Sequence, residues 1–175
     1  GPPDAKARYP EGSGIRPQSR VDRETLNIDE EFADKLQKQL EKIWAREMKV
    51  YARLGKAFAD IDGTIAKFQA RIDKAAENGK DVTALQAALD AFESAVKNTK
   101  PKYESVSGLV SAHAGFDTNG KVTDAEQAKS TVKEVGAKLK EVKESMGGTG
   151  KALREAMKAF REANKPAEAP AERDS

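Results

Sequence analysis

The 175-residue sequence contains no cysteine and a single histidine, His113. Without cysteine, the chain can form neither a disulfide framework nor a thiolate metal site. One histidine cannot supply the roughly four ligands that a typical zinc site requires. No second histidine and no cysteine is available to pair with His113 in acid–base or nucleophilic catalysis. We therefore expect a non-enzymatic protein.

Long apolar runs and an excess of one charge are also lacking. No stretch of about 18 consecutive apolar residues occurs, so we expect no membrane span. The 31 Lys and Arg residues nearly balance the 29 Asp and Glu residues, giving a net charge of +2. Acidic and basic residues interleave at helical spacing, as in Glu93 and Lys97, which is typical of a solvated helix. Because a nucleic-acid binder usually has a basic face, we expect no nucleic acid partner.

What the sequence does contain is a helical periodicity of apolar residues, strongest between residues 28 and 78. Two series with a seven-residue repeat share one helix face there, which predicts a single long helix. Gly55 and Gly63 do not shift the phase, and a break near Gly55 is the alternative. The first series is Trp44, Tyr51, Phe58, Ile65 and Ile72; the second is Leu40, Leu54, Ile61, Phe68 and Ala75, with Glu47 as its one polar member.

Two further helices are predicted, at about 82–114 and 124–164. The apolar stripe of the second helix keeps its phase across Pro101, which predicts a kinked but continuous helix. The stripe of the third helix likewise continues through Gly147-Gly148-Thr149-Gly150, which favours a weakened or hinged helix over a break.

The predicted fold class is therefore all-α. The architecture expected is an elongated antiparallel three-helix bundle, with long heptad-patterned helices over residues 27–164 and disordered termini. Residues 1–26 are rich in Pro and Gly and predict a flexible segment, and residues 165–175 predict a disordered tail. Gly1-Pro2 resembles the pair left by a tag-removing protease and is excluded from this prediction.

The predicted helices differ in length, and this mismatch suggests a contact surface. If the chain folds up, down and up, His113 lies level with Trp44, and residues 28–43 project beyond the other helices. This projecting part is still amphipathic. We expect it to bind another protein or a second copy in a homodimer, or to be covered by the N-terminal segment. The residues predicted for this contact are Phe32, Leu36, Leu40 and Ile43.

The loop from Gly115 to Glu126 resembles an EF-hand calcium loop. Asp117, Asn119 and Glu126 occupy its third, fifth and twelfth positions, but Gly115 replaces the Asp normally found first. A loop without that ligand should bind calcium weakly or not at all, and no other cofactor is predicted. The alternative is a turn followed by a capping box that begins at Thr123.

Trp44, Tyr51 and His113 form a second candidate, a small ligand pocket. The alternative is that the aromatic residues belong to the core and that His113 has a packing or capping role. The glycine-rich stretch before Lys151 lacks the spacing of a phosphate-binding loop, so we interpret it as a packing or hinge element.

Several short motifs carry a resemblance to a known group of proteins. They are Ala70-Arg-Ile-Asp73, Asn78-Gly-Lys-Asp-Val82, Leu85-Gln-Ala-Ala-Leu-Asp-Ala-Phe92, His113-Ala-Gly-Phe-Asp117 and Lys121-Val-Thr-Asp124. Together they resemble uncharacterised, exported, all-helical bacterial proteins. The resemblance implies export to the periplasm, cell surface or medium, but implies no activity. The expected function is helix-mediated protein contact or self-association; a small-ligand or metal carrier and an envelope chaperone are the alternatives.

Overall fold

The computed structural model describes the backbone of residues 20–166 and the side chains of residues 28–166. The predictions for Gly1-Pro2, for most of the flexible N-terminal segment and for the tail from residue 167 fall outside these residues. The all-α prediction is confirmed: the described part contains helices and one isolated bridge, between Phe116 and Val122, but no strand. The helices are α1 (Arg20–Ala59), α2 (Ile61–Glu77), α3 (Thr83–Ala112), α4 (Ala125–Met146) and α5 (Thr149–Ala163).

The long helix predicted over residues 28–78 is divided in two, and the division is at Asp60, not near Gly55. Asp60 leaves the helical conformation (φ −131°, ψ 34°), and the helix resumes at once because the Thr64 amide donates to the Asp60 carbonyl oxygen. A Cβ on Gly63 would lie 2.6 Å from Asp60 Oδ1. The small residue thus leaves room for the Asp60 side chain, which makes no capping hydrogen bond to α2.

Helix α3 runs without interruption through Pro101, as predicted. The third predicted helix, in contrast, ends at Met146 and restarts at Thr149. Gly147 (φ 57°) and Gly148 (φ 71°) both adopt the left-handed conformation, which terminates a helix and which glycine adopts at no steric cost. The prediction of a weakened or hinged helix, in place of a break, was wrong: the chain forms two separate helices here.

The helices enclose two clusters of buried apolar residues, arranged one after the other along α3. Helix α3 packs against α2, α4 and α5, and α1 packs against α4. Phe58 contacts both clusters. The proximal core consists of Leu40, Trp44, Val106, Phe116, Ala128, Val132, Val135, Leu139 and Val142. The distal core consists of Ile65, Ile72, Leu85, Leu89, Val96 and Leu153.

A buried hydrogen bond lies where the two cores meet. Thr99 is fully buried and falls between Val96 of the distal core and Val106 of the proximal core along α3. Its hydroxyl donates to Ser145 Oγ on α4 over 2.8 Å. The bond satisfies a polar group that would otherwise be costly to bury.

Most large apolar side chains of the described residues lie in or against the two cores, whereas Ile28 and Phe32 are exposed. Within residues 20–166, no helix combines the length and the apolar character needed to cross a lipid bilayer.

Candidate functional site

The predicted contact surface on α1 is only partly exposed. Leu40 is 4% exposed and belongs to the proximal core, and Leu36 and Ile43 pack against that core as half-buried residues. Phe32 is 68% exposed and Ile28 is 64% exposed. The part of the surface that is open to solvent therefore consists of Ile28 and Phe32, which we call the exposed pair.

The loop between α3 and α4 covers α1 at the level of Leu40. The rings of Trp44 and Phe116 stack with centroids 4.6 Å apart, and the Val122 amide donates to Glu41 Oε2 over 3.0 Å. The predicted alignment of Trp44 with the end of the second helix agrees with these contacts. The loop accounts for the burial of Leu40, but it does not reach the exposed pair.

The structure does not gather Trp44, Tyr51 and His113 into one pocket. Trp44 borders a surface cavity of about 480 Å³ together with loop residues 118–121, and neither Tyr51 nor His113 lines it. Tyr51 stacks on Tyr103, with ring centroids 5.2 Å apart. His113 caps α3 in the left-handed conformation, and its Nδ1 lies 2.8 Å from the carbonyl oxygen of Phe116. The three residues thus serve separate packing and capping contacts.

In the calcium-like loop, the carboxylate of Asp117 is engaged by the loop itself. Its Oδ1 accepts hydrogen bonds from the amides of Asn119 (2.8 Å) and Lys121 (2.9 Å). The hydrogen bond from the Lys121 amide is the main cause that holds the pKa of Asp117 below its ordinary value. Gly115 has φ +89°, and a Cβ there would overlap the backbone of Ala128. The position that carries the first ligand of an EF-hand therefore has no room for a side chain.

The N-terminus of α4 is capped one residue later than predicted. Asp124, not Thr123, is the N-cap, and its Oδ1 accepts the Gln127 amide over 3.0 Å. Glu126 is exposed in the first turn of α4. Among the described residues, no group of three or more His, Cys, Asp or Glu side chains is arranged to hold a metal ion.

A different site, which the sequence did not reveal, is a groove of about 800 Å³ between α1, α4 and the start of α5. Apolar side chains line part of it, among them Val50, Leu54, Leu139 and Met146. Six cationic side chains also line it: Arg46, Arg53, Lys140, Lys143, Lys151 and Arg154. In the part of the chain that the structure describes, none of these six forms an ion pair. We call this site the basic groove.

Among the residues that the structure describes, Glu47 is the one acidic residue that lines the basic groove. Its Oε1 is buried and has no hydrogen-bond partner within the described part of the chain. Burial raises the pKa of Glu47 to about 7, although the nearby Arg46 acts in the opposite direction. The only sequence signal for this feature was the polar interruption that Glu47 makes in an otherwise apolar series.

The sequence does not predict that these cationic side chains lie together, because they come from three different helices. On each helix they alternate with acidic residues at ordinary surface spacing. Their concentration in one groove depends on how α1, α4 and α5 pack, and on the turn at Gly147 and Gly148 that starts α5 beside the groove. A groove with apolar walls and several cationic side chains suits an anionic amphipathic ligand.

Comparison with known proteins adds no relative: no protein-family model, curated protein or solved structure matches the chain.

Proposed function

We propose that the chain is a non-enzymatic protein that acts through helix-mediated contact with another protein or with a second copy of itself. The observation that carries the proposal is the position of the exposed pair. Two large apolar side chains, Ile28 and Phe32, lie open to solvent on the same helix that forms one wall of the basic groove. Exposed apolar side chains one helical turn apart are the usual anchors of a helix that docks on a partner.

The proposal includes a finer architecture and a location. We propose that α1 with α2, α3, and α4 with α5 form the three arms of an antiparallel bundle with heptad-patterned seams. The contacts of α3 with α2, α4 and α5 support this arrangement. We also propose export from a bacterial cell, which rests on the resemblance of the motifs named above.

Site-specific photo-crosslinking tests the contact. A photoreactive phenylalanine analogue replaces Phe32, and the chain is irradiated in the cells that produce it. Gln37 is the matched control site, because it is also exposed on α1 but lies on a different face. We expect a covalent adduct with a polypeptide from position 32 and none from position 37. Adducts at neither position, or equally at both, would contradict the proposal.

The basic groove supports a second candidate function, a carrier for a small anionic amphiphile. Its volume of about 800 Å³ is in the range of ligand-binding sites, and its lining combines apolar and cationic side chains. Titration with dodecanoate, followed by calorimetry, tests this function. We expect saturable binding that Lys143→Glu weakens, whereas exposed Lys133→Glu on the same helix leaves it unchanged. No heat of binding in the wild-type chain would exclude a fatty-acid carrier.

A further inference from the structure

The basic groove has a charged rim and a mostly apolar floor. Arg46 and Arg53 of α1 are exposed at the rim, as are the four cationic side chains from α4 and α5. Leu139 is buried in the proximal core, and Leu54 is half-buried against it. Glu47 is also half-buried, with its Oε1 fully shielded from solvent. Its carboxyl group therefore belongs to the floor of the groove and not to the rim.

Most of the cations lie at the end of the groove that is remote from Glu47. Val122, shortly before α4, donates to Glu41 on α1. Glu47 and Gly136 then meet further along both helices, so α1 and α4 run in the same direction. Because a helix rises about 1.5 Å per residue, Arg53 lies about 9 Å beyond Glu47 along α1. The cations of α4 and α5 all follow Gly136 in the chain and lie towards the same end.

An anionic amphiphile fits this layout in one orientation. Its headgroup pairs with the cations near the start of α5, and its alkyl chain extends along the apolar floor towards Gly136. Because the headgroup is then about 9 Å from Glu47, the apolar part of the ligand covers the carboxyl group. The cover excludes solvent from Glu47, and the headgroup brings a second negative charge into the groove. Both effects disfavour the ionised form of Glu47.

From this placement we infer that the basic groove binds its anionic amphiphile together with a proton, which passes from the solvent to the carboxylate of Glu47. The proton couples ligand binding to pH, a form of regulation that rests on the carrier function proposed above. Since the ligand favours protonation of Glu47, protonation favours the ligand by the same factor. The groove therefore holds the amphiphile at acidic pH and releases it as the pH rises.

The free groove is prepared for this exchange. Within the described residues, Glu47 Oε1 has no hydrogen-bond partner and no ion pair joins Glu47 to a cation. The charged groups that share the groove with it are Arg46 and Arg53 of α1, Lys140 and Lys143 of α4, and Lys151 and Arg154 of α5. Burial raises the pKa of Glu47 to about 7, so the free chain gains and loses this proton near neutral pH.

Calorimetric titration with decyl sulfate below its micelle concentration tests the coupling, because the sulfate ester stays ionised at every pH used. We expect the affinity of the wild-type chain to fall about tenfold between pH 6 and pH 8. Glu47→Gln should bind with nearly the same affinity at both pH values. Glu134→Gln, at an exposed position that does not line the groove, should keep the wild-type dependence. Equal affinity of the wild-type chain at pH 6 and pH 8 overturns the inference.

Counting the protons provides a second test, which the wild-type chain alone can fail. The titration is repeated at pH 7 in buffers that differ in their enthalpy of ionisation. We expect uptake of about half a proton per bound ligand, because Glu47 of the free chain is about half protonated at this pH. Glu47→Gln should take up none. No uptake by the wild-type chain, or the same uptake by Glu47→Gln, overturns the inference.

The carrier function and its coupling to protons fail in different ways. If decyl sulfate binds with no dependence on pH and no proton uptake, the groove is a carrier site and the coupling to Glu47 is excluded. If decyl sulfate does not bind at pH 6, the result contradicts the carrier function as well.

Discussion

The carboxylate of Glu47 on α1 occupies the space beside Gly136 on α4: a Cβ at Gly136 would lie 2.9 Å from Glu47 Oε2. The glycine thus leaves room for an acidic side chain at a position where the surrounding series is apolar. Because Glu47 Oε1 is buried without a hydrogen-bond partner, the charged form of this carboxylate is poorly stabilised.

Glu47 should make stability depend on pH. Its pKa is raised from 4.5 to about 7, so the folded state retains a proton that the unfolded state releases between those values. The protonated Glu47 side chain therefore contributes its full stabilisation of the folded state below pH 4.5. This stabilisation is lost as the pH rises through 7. Glu47→Gln should remove this loss and be more stable than the wild type by about 1–2 kcal/mol at pH 8, a value reduced for partial solvent screening. Urea unfolding at pH 5 and pH 8 measures the difference.

The matched control is Glu134→Gln, at an exposed position of α4. This variant should keep the wild-type dependence on pH. If Glu47→Gln and the wild type lose stability equally between pH 5 and pH 8, the raised pKa is refuted. The charged groups that line the groove with Glu47 are Arg46, Arg53, Lys140, Lys143, Lys151 and Arg154.

Gly115 should be among the least replaceable residues. Gly115→Ala should cost more than about 3 kcal/mol, because its Cβ would overlap the backbone of Ala128 and its φ is +89°. Gly79→Ala is the control: Gly79 has φ +81° but no atom within 4 Å of the added Cβ. It should therefore cost only about 1 kcal/mol for the backbone conformation. Equal losses in thermal unfolding would contradict the packing argument.

The same geometry gives a prediction for calcium. Gly115→Asp restores the residue that an EF-hand places first, yet it should destabilise the chain without creating a calcium site. Thermal unfolding measures the loss of stability, and calorimetric titration with calcium measures whether the variant binds the ion. A gain of calcium binding in this variant would show that the loop can open enough to use the new carboxylate.

The hydroxyl pair of Thr99 and Ser145 should be energetically coupled. Thr99→Val should cost about 1–2 kcal/mol, because it leaves Ser145 Oγ without its donor at a partly buried site. Ser145→Ala should also be destabilising. In urea unfolding, the stability lost by the double variant should be smaller than the sum of the losses in the two single variants. The difference should be at least about 0.5 kcal/mol. Strict additivity would mean that the bond contributes nothing beyond its separate groups.

Pro101 should lower the stability of the folded chain, because it lies within a helix. It lies inside α3 and is exposed, so its ring disturbs the helix without filling the core. Pro101→Ala should stabilise the chain by about 1–3 kcal/mol by restoring a helical hydrogen bond, less the entropy regained by the unfolded chain. Ser105→Ala, also exposed on α3, controls for helix propensity and should gain no more than about 0.5 kcal/mol. A loss of stability in Pro101→Ala would contradict this account.

The sequence predicted the helical class and the inward faces because these depend on local spacing. Along α3, the stripe that includes Leu85, Leu89, Val96 and Val106 is buried in the structure. Continuity through Pro101 was also predicted, because the stripe keeps its phase there. An intact stripe did not guarantee an intact helix, however. At Asp60 and at Gly147-Gly148 the backbone leaves the helix although the flanking residues still face inward.

The basic groove could not be predicted for a different reason. A cationic residue such as Arg53 or Lys143 has the same sequence context whether it faces open solvent or a groove. Its surroundings are decided by the angle and offset at which α1 meets α4. The exposed pair was predicted in part, since Phe32 was expected on the projecting part of α1. Leu40 was predicted on the same surface, but the loop contacts from Phe116 and Val122 bury that level of the helix.

The arrangement of two cores joined by Phe58 has a consequence for how the molecule opens. The breaks at Asp60 and at Gly147-Gly148 both lie near this junction, so that, among the described helices, only α3 passes through it unbroken. Local unfolding follows such cooperative units. Amide hydrogen exchange should therefore resolve two populations of slowly exchanging amides, one for each core, with α3 alone belonging to both. Motion that frees α5 from the distal core would widen one wall of the groove while Trp44 and Phe116 stay in place.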